Sequence, residues 1–178
     1  MDISKTQLLV SLLTIVASGD VSGIVTFRLN SRRVARRLRR SKLEEFYSAH
    51  SAFIRQLRAD WLLHMNVMRN QISYDDALDI IVNREKAPDP SFERAEILVA
   101  LYFPELVGHF QELLELRDEA ATAINSYKQD YKKIGPNETP ALGRMNELCA
   151  SLTSYEHGFR ERVVRVARQL GAHSRDAA

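Results

Sequence analysis

Cysteine is nearly absent from this 178-residue chain: Cys149 stands alone. No intrachain disulfide can form. Proline is scarce, with five residues and none before Pro88, and glycine numbers only seven. Between Gly23 and Met68 there is neither, so nothing in that stretch breaks a helix. A Gly-rich phosphate loop, an HExxH pair, a GxSxG elbow and a Cys/His cluster are all missing. Those absences remove the sequence signatures of P-loop nucleotide binding, zinc peptidase chemistry and serine hydrolysis, and nothing calls for a cofactor or a metal. Acidic residues are missing from one place in particular, the segment Arg28–Lys42 (RLNSRRVARRLRRSK), which carries seven Arg and one Lys.

That basic block follows an apolar one. From Gln7 to Phe27 (QLLVSLLTIVASGDVSGIVTF) the only charge is Asp20. About 20 apolar residues, at 1.5 Å rise each, span a hydrocarbon core of roughly 30 Å. Basic residues just past such a segment hold their side in the cytoplasm. The expected topology is a single-pass protein of the bacterial inner membrane, N-terminus outside and C-terminal domain cytoplasmic. Arg outnumbers Lys about three to one, as in GC-rich bacterial genomes. Two other readings of the N-terminus remain, a cleaved signal with Val16-Ala17-Ser18 as its weak site and a helix buried in a soluble fold. The eight downstream positive charges resist translocation and argue against the signal.

The whole chain has a net charge of +2, and those eight positive charges leave everything else at −6. A uniformly basic protein would suggest nucleic acid. Here the base excess sits beside the apolar span, where Arg32, Arg33, Arg36, Arg37, Arg39 and Arg40 suit anionic lipid heads at roughly 1 kcal/mol each. The partner expected from composition is the lipid bilayer.

The remainder reads as helix, so the fold class is all-α: an N-terminal transmembrane helix continuing into a long cytoplasmic helix, then a helical bundle. The divisions fall at 1–42 (membrane anchor and basic segment), 43–171 (cytoplasmic bundle) and 172–178 (flexible tail). Leu43, Tyr47, His50, Ile54, Leu57, Trp61, His64 and Met68 step through a 3.5-residue repeat. Ser73 predicts an N-cap, with Asp75 and Asp76 in the first turn of a helix to about Asn83. Lys86-Ala-Pro-Asp-Pro90 breaks helicity and Ser91 predicts the next cap. Pro104 fits the first position of a long helix to about Ile134. Gly135–Pro140 reads as a loop, and a last helix is expected from about Ala141 to Leu170, with Gly171 as its stop.

Four features have functional readings. Gly19 and Gly23 form GxxxG, and Ser11, Ser18 and Ser22 extend the stripe, a surface along which two membrane helices pack closely. A homo-oligomer is the consequence. Asp20 lies on another side of the same helix. A carboxylate in lipid costs roughly 2.5–3.5 kcal/mol, which suits an oligomer lumen, or else protonation or snorkelling. In the last two helices the apolar seams are each interrupted once, by Arg117 and by Glu156. An antiparallel hairpin would place these within a turn of each other as a buried, register-fixing ion pair. Finally, Arg58 and His64, and Arg168 and His173, have the Arg–His spacing of HEPN-type helical RNases, although such pairs arise by chance at about the number seen. His50 and His64 read as polar residues of the bundle seam.

An apolar N-terminal span, a basic stop, a long helix, the Arg168–His173 pair and the run Leu101-Tyr-Phe-Pro-Glu-Leu106 together resemble a known type. They are similar to small single-pass membrane proteins of bacterial defence islands, such as the accessory membrane protein family of type VI-B CRISPR loci, with a HEPN-like helical domain. The resemblance implies ring-shaped oligomers whose membrane helices line a pore, acting by depolarisation during phage attack. A self-associating, non-enzymatic membrane protein is therefore expected. A membrane-tethered adaptor and a membrane-bound RNase are the alternatives.

Overall fold

A computed structural model describes residues 3–85, 91–134 and 140–172. For 3–29, and for residues 32, 84, 85, 133, 134 and 172, the backbone alone is described. The described residues are all-α, with five helices: α1 (Ile3–Met68), α2 (Tyr74–Glu85), α3 (Ser91–Tyr102), α4 (Val107–Ile134) and α5 (Pro140–Ala172). Contacts divide the chain into Met1–Ser41 and Lys42–Ala178. In the first unit the backbone is helical from Ile3. Arg33, Arg37 and Arg40 are exposed, and Arg36 and Arg39 are half-buried.

The second unit has one hydrophobic core. Its α1 segment buries Leu43, Phe46, His50, Phe53, Ile54, Leu57, Trp61, Met65 and Met68. Those steps of three and four put one face of the helix inward. Tyr47, expected in the seam, is exposed. On α5 the buried face is Met145, Leu148, Leu152, Tyr155, Phe159, Val163 and Val166. Phe159 meets Phe46 at 5.8 Å between ring centroids. Near the other end of the α1 segment, Cys149 Sγ lies 3.6 Å from Met65 Sδ. Residue number falls on one helix as it rises on the other, so the two are antiparallel. On α4, Phe110 meets Phe46 and the Tyr127 hydroxyl donates to the Val67 carbonyl, so α4 runs parallel to α1.

Local chemistry sets each boundary. Asn70 has φ 57°, the left-handed region. Its N–H donates to the Val67 carbonyl at 2.9 Å, and the Gln71 N–H donates to the Asn66 carbonyl at 2.9 Å. This is a Schellman ending, which satisfies carbonyls that α1 would leave orphaned. Ser73 Oγ then accepts from the Asp76 N–H at 3.1 Å, as expected of an N-cap. α3 begins with Ser91 itself as a helical residue. It ends at Tyr102, and Phe103, with φ −136°, leads into a 3-10 turn, Pro104–Leu106, with Pro104 at its start. The chain bends by 120° there. Gly171 does not stop α5, which continues to Ala172.

Among the described residues no single helix is long and apolar enough to cross a membrane. The bent pair on either side of Phe103 passes by length and composition alone. It supplies core residues Leu98, Leu106, Phe110 and Leu113 to the second unit, and Arg117, Asp118 and Glu119 interrupt it, so it reads as core. The expected span Gln7–Phe27 lies outside the described side chains.

Asn70 is the position where backbone conformation limits the choice of residue. Asn70→Ala should cost about 1 kcal/mol, because a Cβ without a local hydrogen-bonding group resists positive φ. Asn70→Gly should be neutral or stabilising by several tenths of a kcal/mol. Urea unfolding of the two variants checks this, and equal effects would mean the helix ends differently.

Candidate functional site

The side chains in the most unusual surroundings lie between α1 and α5. His50 is buried, and its Nε2 shares a 2.8 Å hydrogen bond with the Tyr155 hydroxyl. Its ring stacks on Phe159 with centroids 3.7 Å apart and planes 16° from parallel. Burial pushes the His50 imidazolium down to about 3. Burial raises the Tyr155 phenol well above its ordinary range, and the Glu112 carboxylate adds to the effect. Both groups are therefore neutral near pH 7, and their bond joins two uncharged partners.

Beside them is a groove of about 410 Å³, open to solvent. Tyr47, Ser51 and Arg55 of α1 line it, with Thr153, Glu156 and Arg160 of α5. Arg58 Nη2 donates to Glu156 Oε2 at 2.5 Å. His157 stands at the rim, 3.5 Å from Glu161. Arginines and hydroxyls can hold an anion by hydrogen bonds. Proton transfer at neutral pH has no evident agent here, because the histidine in the floor is held neutral. Cys149 is half-buried, and burial raises its thiol, with Arg58 and Arg69 opposing. That makes it a poor nucleophile. Among the described residues no cluster of three His, Cys, Asp or Glu side chains could hold a metal.

The expected Arg117–Glu156 pair does not form. Arg117 bonds Asp118 at 2.8 Å and lies over the Phe92 ring, 5.3 Å from its centroid. Glu156 instead pairs with Arg58. The two side chains leave their helices toward different neighbours, Arg117 toward α3 and Glu156 toward α1. Their exposures, 37% and 34%, show that neither is a buried charge. The interruptions of the two seams mark where solvent reaches the helices.

The Arg–His pairs are not assembled into a site. Arg58 is engaged with Glu156. His64 is half-buried, and burial, with Lys128 second, lowers it to about 4. Six residues at 100° each also put the two on different sides of α1. Arg168 is exposed on α5, and His173 lies outside the described residues. So do the side chains of Ser11, Ser18, Gly19, Asp20, Ser22, Gly23 and Arg32. Sequence reasoning missed Arg55, Tyr155 and Arg160. No periodicity marks them, because a groove between antiparallel helices is written in residues a hundred positions apart.

Two measurements test this arrangement. Arg58→Ala, Glu156→Ala and Arg117→Ala should each cost roughly 0–1 kcal/mol, the range for solvent-reached pairs. A double-mutant cycle should couple Arg58 to Glu156 and leave Arg117 uncoupled to it; coupling of Arg117 would restore the buried-pair geometry. The second measurement is stability against pH. The unfolded chain protonates His50 near pH 6.5, whereas the folded chain does so only near 3. Within that window the unfolded state binds more protons, so stability falls as pH drops, by up to roughly 1.4 kcal/mol per pH unit from His50. His64 adds a slope of the same sign over the narrower window between 6.5 and about 4. His50→Gln keeps a hydrogen-bonding group for Tyr155 and should remove one proton's worth of slope in urea titrations from pH 7 to 5. An unchanged slope would show that His50 is not held neutral.

Set beside known protein families, curated proteins and solved structures, the chain matches none.

Proposed function

We propose that this chain is a single-pass protein of the bacterial inner membrane, with its N-terminus outside and its helical domain in the cytoplasm. It self-associates through the membrane segment and changes membrane permeability, in keeping with the anti-phage role that its resemblance implies. The change of composition at Phe27–Arg28 carries this reading: an apolar stretch with Asp20 as its only charge, then eight basic residues without an acid. Gly19 and Gly23 supply close helix packing where apolar burial cannot drive association in lipid. Asp20 is tolerable beside a water-filled lumen and would favour cations there. The neutral His50–Tyr155 pair supports binding rather than acid–base chemistry in the cytoplasmic domain.

The second reading, a membrane-tethered adaptor, draws on α3. Ile97 and Leu101 lie one turn apart and are 57% and 70% exposed. Apolar residues at that spacing on an exposed face suit a helical partner.

A reporter fused after Ala178 should be active in the cytoplasm, and the protein should resist carbonate extraction. Release into the soluble fraction would defeat the membrane assignment. Crosslinking in native membranes should trap oligomers that Gly19→Ile with Gly23→Ile disperses. In planar bilayers the oligomer should conduct, and Asp20→Asn should alter ion selectivity or abolish current. A stable oligomer that never conducts would leave the adaptor reading.

A further inference from the structure

The C-terminal half of α5 has two opposed faces. Phe159, Val163 and Val166 are buried in the core. On the other side Arg160, Arg165 and Arg168 are exposed around Val164, itself 41% exposed. At 100° per residue these four fall within about 140° of arc. Arg162 is exposed at the flank. Among the described residues none of these arginines forms an ion pair. Glu161, the one acid between 157 and 168, lies exposed within the same arc, 3.5 Å from His157, and leaves the face a net positive charge.

The position of this face in the second unit matters as much as its charge. Phe159 packs on Phe46 and Tyr47, close to Lys42, where the chain enters the unit. Since α5 is antiparallel to α1, Arg160 to Arg168 lie at that same end. The opposite end is mixed: Asp75, Asp76 and Asp79 of α2 are exposed there, and so are Arg69, Lys132 and Arg144. The exposed arginines of the C-terminal half of α5 thus gather at the end where the chain enters the unit. From 157 to 168 the net charge is +3. With the +8 of Arg28–Lys42 set aside as well, the rest of the chain stands at −9.

We propose that Arg160, Arg165 and Arg168, set around Val164 on the outer face of α5, form a second membrane contact that docks the domain on anionic lipid headgroups. The inference rests on the membrane-anchor reading. Guanidinium groups bond phosphate oxygens in a fork, the aliphatic stems cover the shallow interface, and Val164 enters between them. The field of such a surface attracts this end of α5. Lone surface arginines would be satisfied by water. Four of them on one half-helix, at the end where the chain enters the unit, match the charge of an anionic leaflet.

The test uses the full chain in proteoliposomes, with an environment-sensitive fluorophore on Val164→Cys in a Cys149→Ser background. With phosphatidylglycerol present, the label should be quenched by headgroup nitroxide lipids and shielded from aqueous iodide. In phosphatidylcholine alone, or at 0.5 M salt, it should be released. Each Arg→Gln change at 160, 165 and 168 should lower the docked-to-free ratio by roughly fivefold. A label on Asp79→Cys should stay exposed throughout. Equal quenching in both lipids, or no effect of the triple change, overturns the proposal. So does binding of single-stranded RNA by the same arginines without binding of anionic vesicles. Carbonate extraction of the chain would remove the anchor and not this surface. In that case salt-sensitive sedimentation with phosphatidylglycerol vesicles, reduced by the triple change, still supports the proposal, and its absence sinks it.

Discussion

Phe46 has no exposed surface, and the rest of the second unit is arranged around it. Its ring lies within 6.5 Å of Phe103, Phe110, Phe159 and His50, drawn from α1, the α3–α4 turn, α4 and α5. Aromatic pairs at such separations add about 0.5–1.5 kcal/mol beyond area burial. One polar residue sits in this cluster, and the cluster dictates its state. His50 cannot be charged against Phe159 and Phe110, so it is neutral and needs a partner for its ring nitrogen. Tyr155 supplies that partner from α5. The hydrogen bond therefore depends on the packing, and it fixes which residues of α1 and α5 face each other. A one-turn slip would strand both groups in an apolar core.

Helix existence was legible because single residues carry it. Ser73 and the run without Gly or Pro each act locally and mark what they were read to mark, whereas Pro104, read as the first residue of the long helix, opens the 3-10 turn before it and α4 begins at Val107. The seams were legible because a 3.5-residue repeat needs only one helix. The device that ends α1 at Met68, and the boundary of α5, were missed for physical reasons. Asn70 ends α1 through a left-handed turn, a role that Gly usually advertises and Asn does not. Gly171 lies inside α5, since glycine permits an ending without enforcing one.

Which residues meet across helices was less legible. Arg117 and Glu156 were matched because each interrupts an apolar seam, and hairpin arithmetic put them within a turn. That arithmetic treats two helices as if nothing else packed on them. α3 brings Phe92 to Arg117, and α1 brings Arg58 to Glu156. With a third and fourth helix present, an interruption can mean an opening to solvent rather than a buried partner. The same limitation hid the groove, whose Arg55 and Arg160 are unremarkable in their own helices.

Charge is distributed on a longer scale than any of these contacts. Pairs such as Arg94 with Glu45 tie neighbouring helices but cancel locally. What does not cancel is the +3 carried by residues 157 to 168 of α5. Exposed ion pairs contribute little to folding, so folding gives no reason for four unpaired arginines to gather at one end. On the proposed membrane contact, a surface of fixed negative charge would give this cluster and the basic segment Arg28–Lys42 the same counterpart. Acid–base neutrality in the core and strong charge at one end are then consistent with each other. The first keeps α1 and α5 in one register, and the second is the contact proposed for the outer face of α5.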